Sequence, residues 1–433
     1  MQDVRMITKG KALVVIDAGS STLGWSLYDA STPALALIAR GQFTHLGTAP
    51  QFHAADDQGT TLAEETIDSA GHRFGHSEAF EHLARWLQFC YGGQLNIVAI
   101  GHRIAHGGDD FFEPTLIDAE AMEYLQGLVQ LASHHQADNL AGVRAVTRLR
   151  PDLLQIACFD TSFHHSRAPI TERFAVSEDL FSRGIKRWGF HGLACESIVG
   201  QLSRTSPHLA SGRVIVAHLG EESSICGIKA GRSIDTTAGF SALDGLPGAK
   251  HCGTLDSGAI LHLMQTMPPN EIETLLCERS GLSGISGVDG DIRTLLSTSD
   301  PLGTANVEFF VYRVIREIGS MAGALGGLDA LIFTSEIGEH CPDIRGRICG
   351  GLSWLGIEVD VRANERHEQC ISPTGRSPSA WVIPTDIDGV IAAHTARLVA
   401  LVPQRITQRG TARDDGAHVG QPHDITNEKI AGP

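Results

Sequence analysis

Positive charge is scarce in this 433-residue chain: 34 Lys and Arg stand against 50 Asp and Glu, a formal charge of −16. A surface of that sign repels polyanions, so nucleic acid and anionic membranes drop out as partners. Long apolar runs are missing too. The longest, such as residues 12–16, fall far short of the ~20 that cross a bilayer, and no cleavage-like site follows this one. A cytoplasmic protein is expected. The nine cysteines are scattered, odd in number and without a Cys-x-x-Cys pair, which excludes a disulfide framework and points to reduced, structural thiols. The 21 histidines are not arranged as zinc ligands; His134-His135 and His164-His165 are adjacent pairs that project in different directions. A 42% hydrophobic share and a mean hydropathy of −0.02 leave a globular chain. Its length suits two or three domains with a cleft between them.

What is present points to an open α/β architecture. Residues 11–16 (KALVVI) read as a buried strand running into the glycine turn Asp17-Ala18-Gly19-Ser20. The same joint recurs where residues 95–100 enter Gly101-His102-Arg103, 154–159 enter Asp160-Thr161-Ser162, and 214–217 enter His218-Leu219-Gly220. It recurs again where 330–333 enter 334–339 and 381–383 enter Pro384-Thr385-Asp386. β-branched runs ending in small and polar residues are how such sheets present chemistry at strand ends. Between them lie helical patterns, with apolar residues at 307, 310, 311, 314, 315 and 318 and a stripe of Phe80, Leu83, Trp86 and Leu87. Residues 1–10 are expected to form a flexible leader, and the polar residues 403–433 a disordered tail.

Several joints carry chemistry. Residues 17–22 (DAGSST) offer N–H groups and hydroxyls for phosphate oxygens and a carboxylate for a hydrated magnesium ion; an ordinary hairpin turn fits them equally well. In residues 101–108 (GHRIAHGG) an arginine stands between two glycine turns, placed for bidentate capture of a carboxylate or phosphate, or for a structural ion pair. Asp160 ends a strand, where it either orients a base or a metal-bound water, or caps the next helix. Trp188-Gly189-Phe190-His191-Gly192 sets a histidine between glycines on an exposed loop, a setting that favours function over core packing. Residues 218–224 have the form of a phosphate turn, but Glu221 and Glu222 would oppose a phosphate.

Taken in order, IDAGSSTLGWSL, GHRIAHGG, FDTSFH, RWGFHG, HLGEESSICGIKAGRSIDTTAGF, GISGVDGDIR, LDALIFTSEIGEH and VIPTD resemble the acetate kinase family of the actin-like ATPase superfamily, over about residues 12–400. The resemblance implies an α/β fold of two ribonuclease H-like domains around a hinged cleft. Residues 11–161 plus 387–402 would form an N-terminal acyl-kinase domain and 162–386 a C-terminal nucleotide and dimerisation domain, in a homodimer. It implies transfer of a phosphoryl group from ATP to a short-chain carboxylate, with Mg²⁺, giving ADP and an acyl phosphate. By this resemblance Arg103 contacts the carboxylate and His135 lies near the transferring phosphoryl group. Asp160 stands beside metal and nucleophile, and His191 donates to the phosphoryl oxygens. His251 occupies the place of the family's catalytic arginine. Ala105, His134, Phe190 and Ala242 line the acid's carbon chain, two of them smaller than the family's residues, which implies a larger or more polar acid than acetate. Ser20, Thr22, His218, Gly220, Asp291, Arg293, Glu336 and Gly338 fall on nucleotide contacts, and Asp17 and Asp388 on the metal site.

The departures cluster in the phosphate and metal half. The family has Asn at Asp17, Lys at Gly24, Asn-Gly at Glu221-Glu222 and Gly at Glu336, and its metal-binding glutamate aligns with Ile387, beside Asp388. Four neutral positions turn acidic and two cations are lost or weakened, about six charges in the negative direction unless Lys250 or Mg²⁺ offsets them. One misplaced charge at ~4 Å is on the order of 4 kcal/mol at an effective dielectric of ~20. A protonated His251, its pKa raised by acidic neighbours, is the expected partial replacement for the arginine. These changes leave a second reading open, an impaired relative that binds a carboxylate, a metabolite or a partner protein.

Overall fold

The run KALVVI lies in β1 (Gly10–Ala18), where residues 12–16 are almost wholly shielded, as a strand covered on both faces requires. The computed structural model describes residues 10–68, 72, 74–132, 135–288, 290–297 and 300–411, with side chains as far as 401. β2 (Leu23–Asp29), β3 (Ala36–Thr44), β4 (Gln51–Asp56) and β5 (Thr61–Thr66) fold away from β1 as an antiparallel meander. On its other side β6 (Leu95–Ile104) lies parallel, followed in the sheet by β8 (Leu154–Phe159), with β7 (Thr115–Leu116) antiparallel at the edge. The order is β5-β4-β3-β2-β1-β6-β8-β7. A second sheet takes β9 (Arg213–His218), β10 (Ser224–Lys229), β11 (Arg232–Thr236), β12 (Ala330–Thr334) and β13 (Ser379–Val382) in the order β11-β10-β9-β12-β13. Without β4, β5 and β7 the first sheet reads β3-β2-β1-β6-β8, the same order and directions as the second. The molecule is therefore two ribonuclease H-like units, the expected actin-like ATPase architecture.

Side-chain alternation along β1 decides which helix covers which face. Val14 and Ile16 pack under the helices His76–Tyr91 and Gln136–Leu149 through Phe80, Leu83, Ala145 and Val146. Leu13 and Val15 meet Ile391 and Ala392 of the long helix Ile387–Thr411. In the second half the helix Pro301–Leu325 covers Ile215 and Ala217, and Gly192–Thr205 covers Val214 and Val216 through Ile198 and Leu202. The long helix packs on the first sheet yet is moored to the second half. His394 Nε2 lies 2.8 Å from Glu196 Oε1, and the Asp386 N–H donates to Ser197 Oγ at 2.8 Å.

Three sequence expectations shift. Gly101 is not a turn: β6 continues through it to Ile104. Its missing side chain serves packing, since a Cβ there would lie 2.3 Å from Thr395 Oγ1 and 2.6 Å from Ile391 Cγ2. Gly10 belongs to β1, so the leader shortens to residues 1–9, outside the described residues. The segment from 403, expected to be a disordered tail, is helical as far as Thr411; residues 412–433 lie outside the described ones. All nine cysteines are unpaired. Among the described residues no helix is long and apolar enough to cross a membrane.

Candidate active site

The carboxyl ends of β1, β6 and β8 face the β9–β10 turn across a cavity of about 440 Å³. Arg103, near the end of β6, sits at its floor. Its Nε donates to Asp160 Oδ2 at 2.9 Å, Nη2 lies 2.8 Å from the same oxygen, and Nη1 donates to Asp17 Oδ2 at 2.9 Å. Burial works against the charge, but Asp160 and Asp17 outweigh it and hold the guanidinium above its ordinary pKa. Of the two sequence alternatives for Arg103 the ion pair is formed, and open space lies beside it. Asp160 does not cap the following 3₁₀ turn, where Thr161 takes that place. Its second oxygen, Oδ1, is buried without a protein partner.

His191 was expected on an exposed loop. It is instead 8% exposed, at φ 59°, immediately before the helix Gly192–Thr205. The cause is a close crossing of chains: the Gly192 N–H donates to the Asp160 carbonyl at 2.9 Å, and a Cβ on Gly192 would lie 2.2 Å from that oxygen. His191 Nδ1 meets Ser224 Oγ at 2.9 Å, while Nε2 turns to Glu222 Oε2 at 3.7 Å. Glu222 Oε1 is 3.1 Å from His135 Nε2. Glu222, expected to oppose a phosphate, is therefore paired with two histidines. Its hydrogen bond raises the His135 pKa above the ordinary imidazole value, against burial. Burial would raise the Glu222 carboxyl, but His135 and His191 hold it well below the usual range.

Two other histidines also differ from expectation. His218 was placed with the nucleotide, but its ring stacks on His191, centroids 4.5 Å apart, and burial followed by His191 and Arg103 pushes its pKa well down. His251 was expected to be protonated. It is 8% exposed, both ring nitrogens lack a protein partner, and burial lowers its pKa against the opposing pull of Glu222. A neutral imidazole does not replace a guanidinium.

Ala105, Phe190 and Ala242 line the same cavity as Arg103; His134 lies outside the described residues. Sequence reasoning missed Asn139, buried beside them. Its Oδ1 accepts from the Ala105 N–H at 2.9 Å and its Nδ2 donates to the Ala18 carbonyl at 2.7 Å, tying the ends of β1 and β6. The available signal was an amide in a helix otherwise patterned for burial. In the DAGSST turn Thr22 lines the cavity, while Ser20 is exposed and stands outside it. Gly19 N donates to the Thr22 carbonyl at 3.0 Å, which is hairpin geometry.

Asp17 and Asp388 share an adjoining cavity of about 450 Å³, and Gly24 borders both spaces. Asp388 accepts from Ser26 Oγ. Its pKa is raised by burial first, with Asp17 and Asp386 adding to the rise. Among the described residues no group of three or more His, Cys, Asp or Glu is placed to hold a metal. Two carboxylates that repel each other beside a polar space fit Mg²⁺, which is held by one or two carboxylates together with substrate phosphates and water.

A third cavity, about 210 Å³, is lined by Gly220, Lys250, Asp291, Arg293 and Glu336, among others. Arg293 Nη2 is 2.9 Å from both Asp291 Oδ2 and Glu336 Oε1, so this acidic replacement too is paired. Gly338 does not line the space. Its N–H donates to the Leu219 carbonyl at 3.1 Å, and a Cβ would press on Phe333 at 3.3 Å. Ser335, also missed, stands at φ 68°.

The Arg103 cavity and the Arg293 cavity adjoin, with Glu221 lining both. The model of the acetokinase family matches residues 12–393. The chain belongs to the acetokinase family. It is 42% identical to an acetate kinase of Rhodopseudomonas palustris (strain TIE-1) over 393 residues, 89% of this chain and 98% of that protein. An acetate kinase of Rhizobium meliloti is 39% identical over 391 residues, 90% and 98% of the two chains. Among solved structures, a propionate kinase from Francisella tularensis subsp. tularensis SCHU S4 superposes with a TM-score of 0.82 at 28% identity, covering 89% of this chain and 99% of that one. Porphyromonas gingivalis acetate kinase gives 0.79 at 28% identity, covering 90% and 100%. This acetokinase-family chain thus shares the whole length of its relatives' fold.

Proposed function

We propose that this acetokinase-family chain is a carboxylate kinase, transferring a phosphoryl group from ATP to a short-chain acid to give ADP and an acyl phosphate. The observation that carries the reading is Arg103, charged and fixed on Asp160 and Asp17 at the floor of a cavity whose wall is Ala105, Phe190 and Ala242. The N–H groups of Arg103 not engaged by these aspartates are left for the acid's carboxylate, and the small apolar wall takes its carbon chain. The two alanines favour propionate or a longer acid over acetate. His135, its pKa raised by Glu222, and the Nε2 of His191 supply donors for phosphoryl oxygens, and Lys250, Asp291 and Arg293 border the place of the nucleotide. Asp17 and Asp388 would hold Mg²⁺, which when bound neutralises phosphate charge. Transfer in line needs little beyond such positioning and charge balance.

The second half of this reading concerns setting: a cytoplasmic homodimer with a small carboxylate and a nucleotide as its partners, which sedimentation of the full chain and cell fractionation would check. The domain division at 161–162 and 386–387 belongs to the same reading. It is supported by the return of the helix Ile387–Thr411 to the first sheet. Hydroxamate trapping with acetate, propionate and C4 acids in the presence of Mg-ATP tests the activity. The expected outcome is acyl phosphate with a preference for the longer acids. Absence of product with every acid at pH 6 and at pH 8 would refute it.

A further inference from the structure

Glu222 occupies a place that a carboxylate pocket does not require. Its two oxygens are divided between two histidines arriving from different helices, His135 at 3.1 Å and His191 at 3.7 Å, each presenting Nε2. The His191 ring is fixed by Ser224 at Nδ1 and by its stack on His218. Two imidazole N–H groups converging on one pair of oxygens form a receptor for an oxyanion, and here the oxyanion is the protein's own. Behind them His251, more than nine-tenths buried, has both ring nitrogens without a protein partner. The backbone around Glu222 is anchored, Gly220 N–H to Ser223 Oγ and Ala249 N–H to the Glu221 carbonyl, both at 3.1 Å. The Glu222 side chain itself is 37% accessible and borders the open cavity. It can swing out without moving the turn.

We propose that Glu222 is a resident occupant of this oxyanion site, and that a tetrahedral oxyanion of the phosphate class enters only by displacing its carboxylate from His135 and His191. The identity of the oxyanion rests on the kinase reading; the occupancy does not. A tethered carboxylate competes intramolecularly, so a free carboxylate, which offers the histidines nothing more, does not replace it at concentrations below the tether's effective concentration. A phosphoryl group brings a further oxygen and more charge, and does. Glu222 is thus a positioning residue that keeps the acceptor acid out of the donor's place and directs it to Arg103.

The test is calorimetric titration of inorganic phosphate, and separately of acetate, into the full-length chain and its Glu222→Gln variant without nucleotide. If the resident carboxylate holds the site about nine-tenths of the time, its removal tightens phosphate about tenfold. The variant should also take up a second acetate that the unaltered chain does not bind. Equal phosphate affinity with a single acetate in both proteins would overturn the proposal. Should the variant not fold, histidine ring NMR on the unaltered chain decides. Saturating phosphate must move the His135 and His191 signals; signals unmoved at saturation, or no phosphate binding at all, overturn it. Turnover plays no part in these readouts. Failure to form acyl phosphate would sink the kinase reading and leave the occupancy result standing.

Discussion

Among single residues, the pairing of charges is what sets this cleft apart. Asp17 sits on Arg103, Glu222 on His135 and His191, and Glu336 on Arg293. Removing a guanidinium that binds a carboxylate forfeits a charged hydrogen bond of about 1.5–3 kcal/mol, so Arg103→Gln should raise the KM for the acid about 10- to 150-fold. Initial rates of hydroxamate formation across acid concentrations measure this, and an unchanged KM would remove Arg103 from the acid's site. Arg103, Asp160 and His191 were legible in the sequence because each stands at a strand end or beside a glycine, whereas Ala105, Phe190 and Ala242 on the cavity wall came from the family resemblance alone. The pairings were not legible. Counting residue types registers Glu222 as a surplus charge, whereas its contacts with His135 and His191 depend on where two distant helices begin. His251 was misread for a related reason: acidic substitutions assigned to the same pocket advertise Coulomb attraction, but the cost of desolvation is visible only once the ring is placed.

Among elements, two positions store what the chain gives up to build the cleft. Ser335, the first residue of the helix Ser335–His340 that follows β12, holds φ 68°, a region in which a side chain costs on the order of 1 kcal/mol or more. Ser335→Gly should therefore raise stability by about 1 kcal/mol in urea denaturation. Gly101→Ala should do the opposite. Its Cβ would strike Thr395 and Ile391 of the buried helix face, a misfit costing about 1–3 kcal/mol; a midpoint unchanged in the same denaturation would show that the helix yields freely. The parallel strands were readable as unbroken apolar runs. The meander β3 to β5 was not, since β5 (TLAEET) is largely exposed and lacks the apolar alternation that marks a strand.

For the whole molecule, stability should depend on acid through two core histidines in the first half. His102, bonded to Gln155 Oε1 at 2.9 Å, and His106 are fully buried, and burial lowers both to about 4. An unfolded histidine binds its proton near ~6.5. The unfolded chain thus holds more protons between these values, and the stabilisation, complete above pH ~6.5, drains away as pH falls toward 4. The expected loss is on the order of 3 kcal/mol for each histidine over that span, read as a falling thermal midpoint; a midpoint level from pH 7 to pH 4 would refute it. The twofold repetition of strand order was implied only by family resemblance, because pairing order is a property of the assembled sheet and leaves no trace in local pattern.

The helix Ile387–Thr411 lies along one sheet while its first turns are lashed to the opposite jaw through Asp386 and His394. A swing of that jaw would twist the helix like a torsion bar, and Asp388 lies in its first turn, at the twisted end. The width of the mouth and the aim of that carboxylate are then one mechanical variable, so a ligand gripping either wall retunes the other.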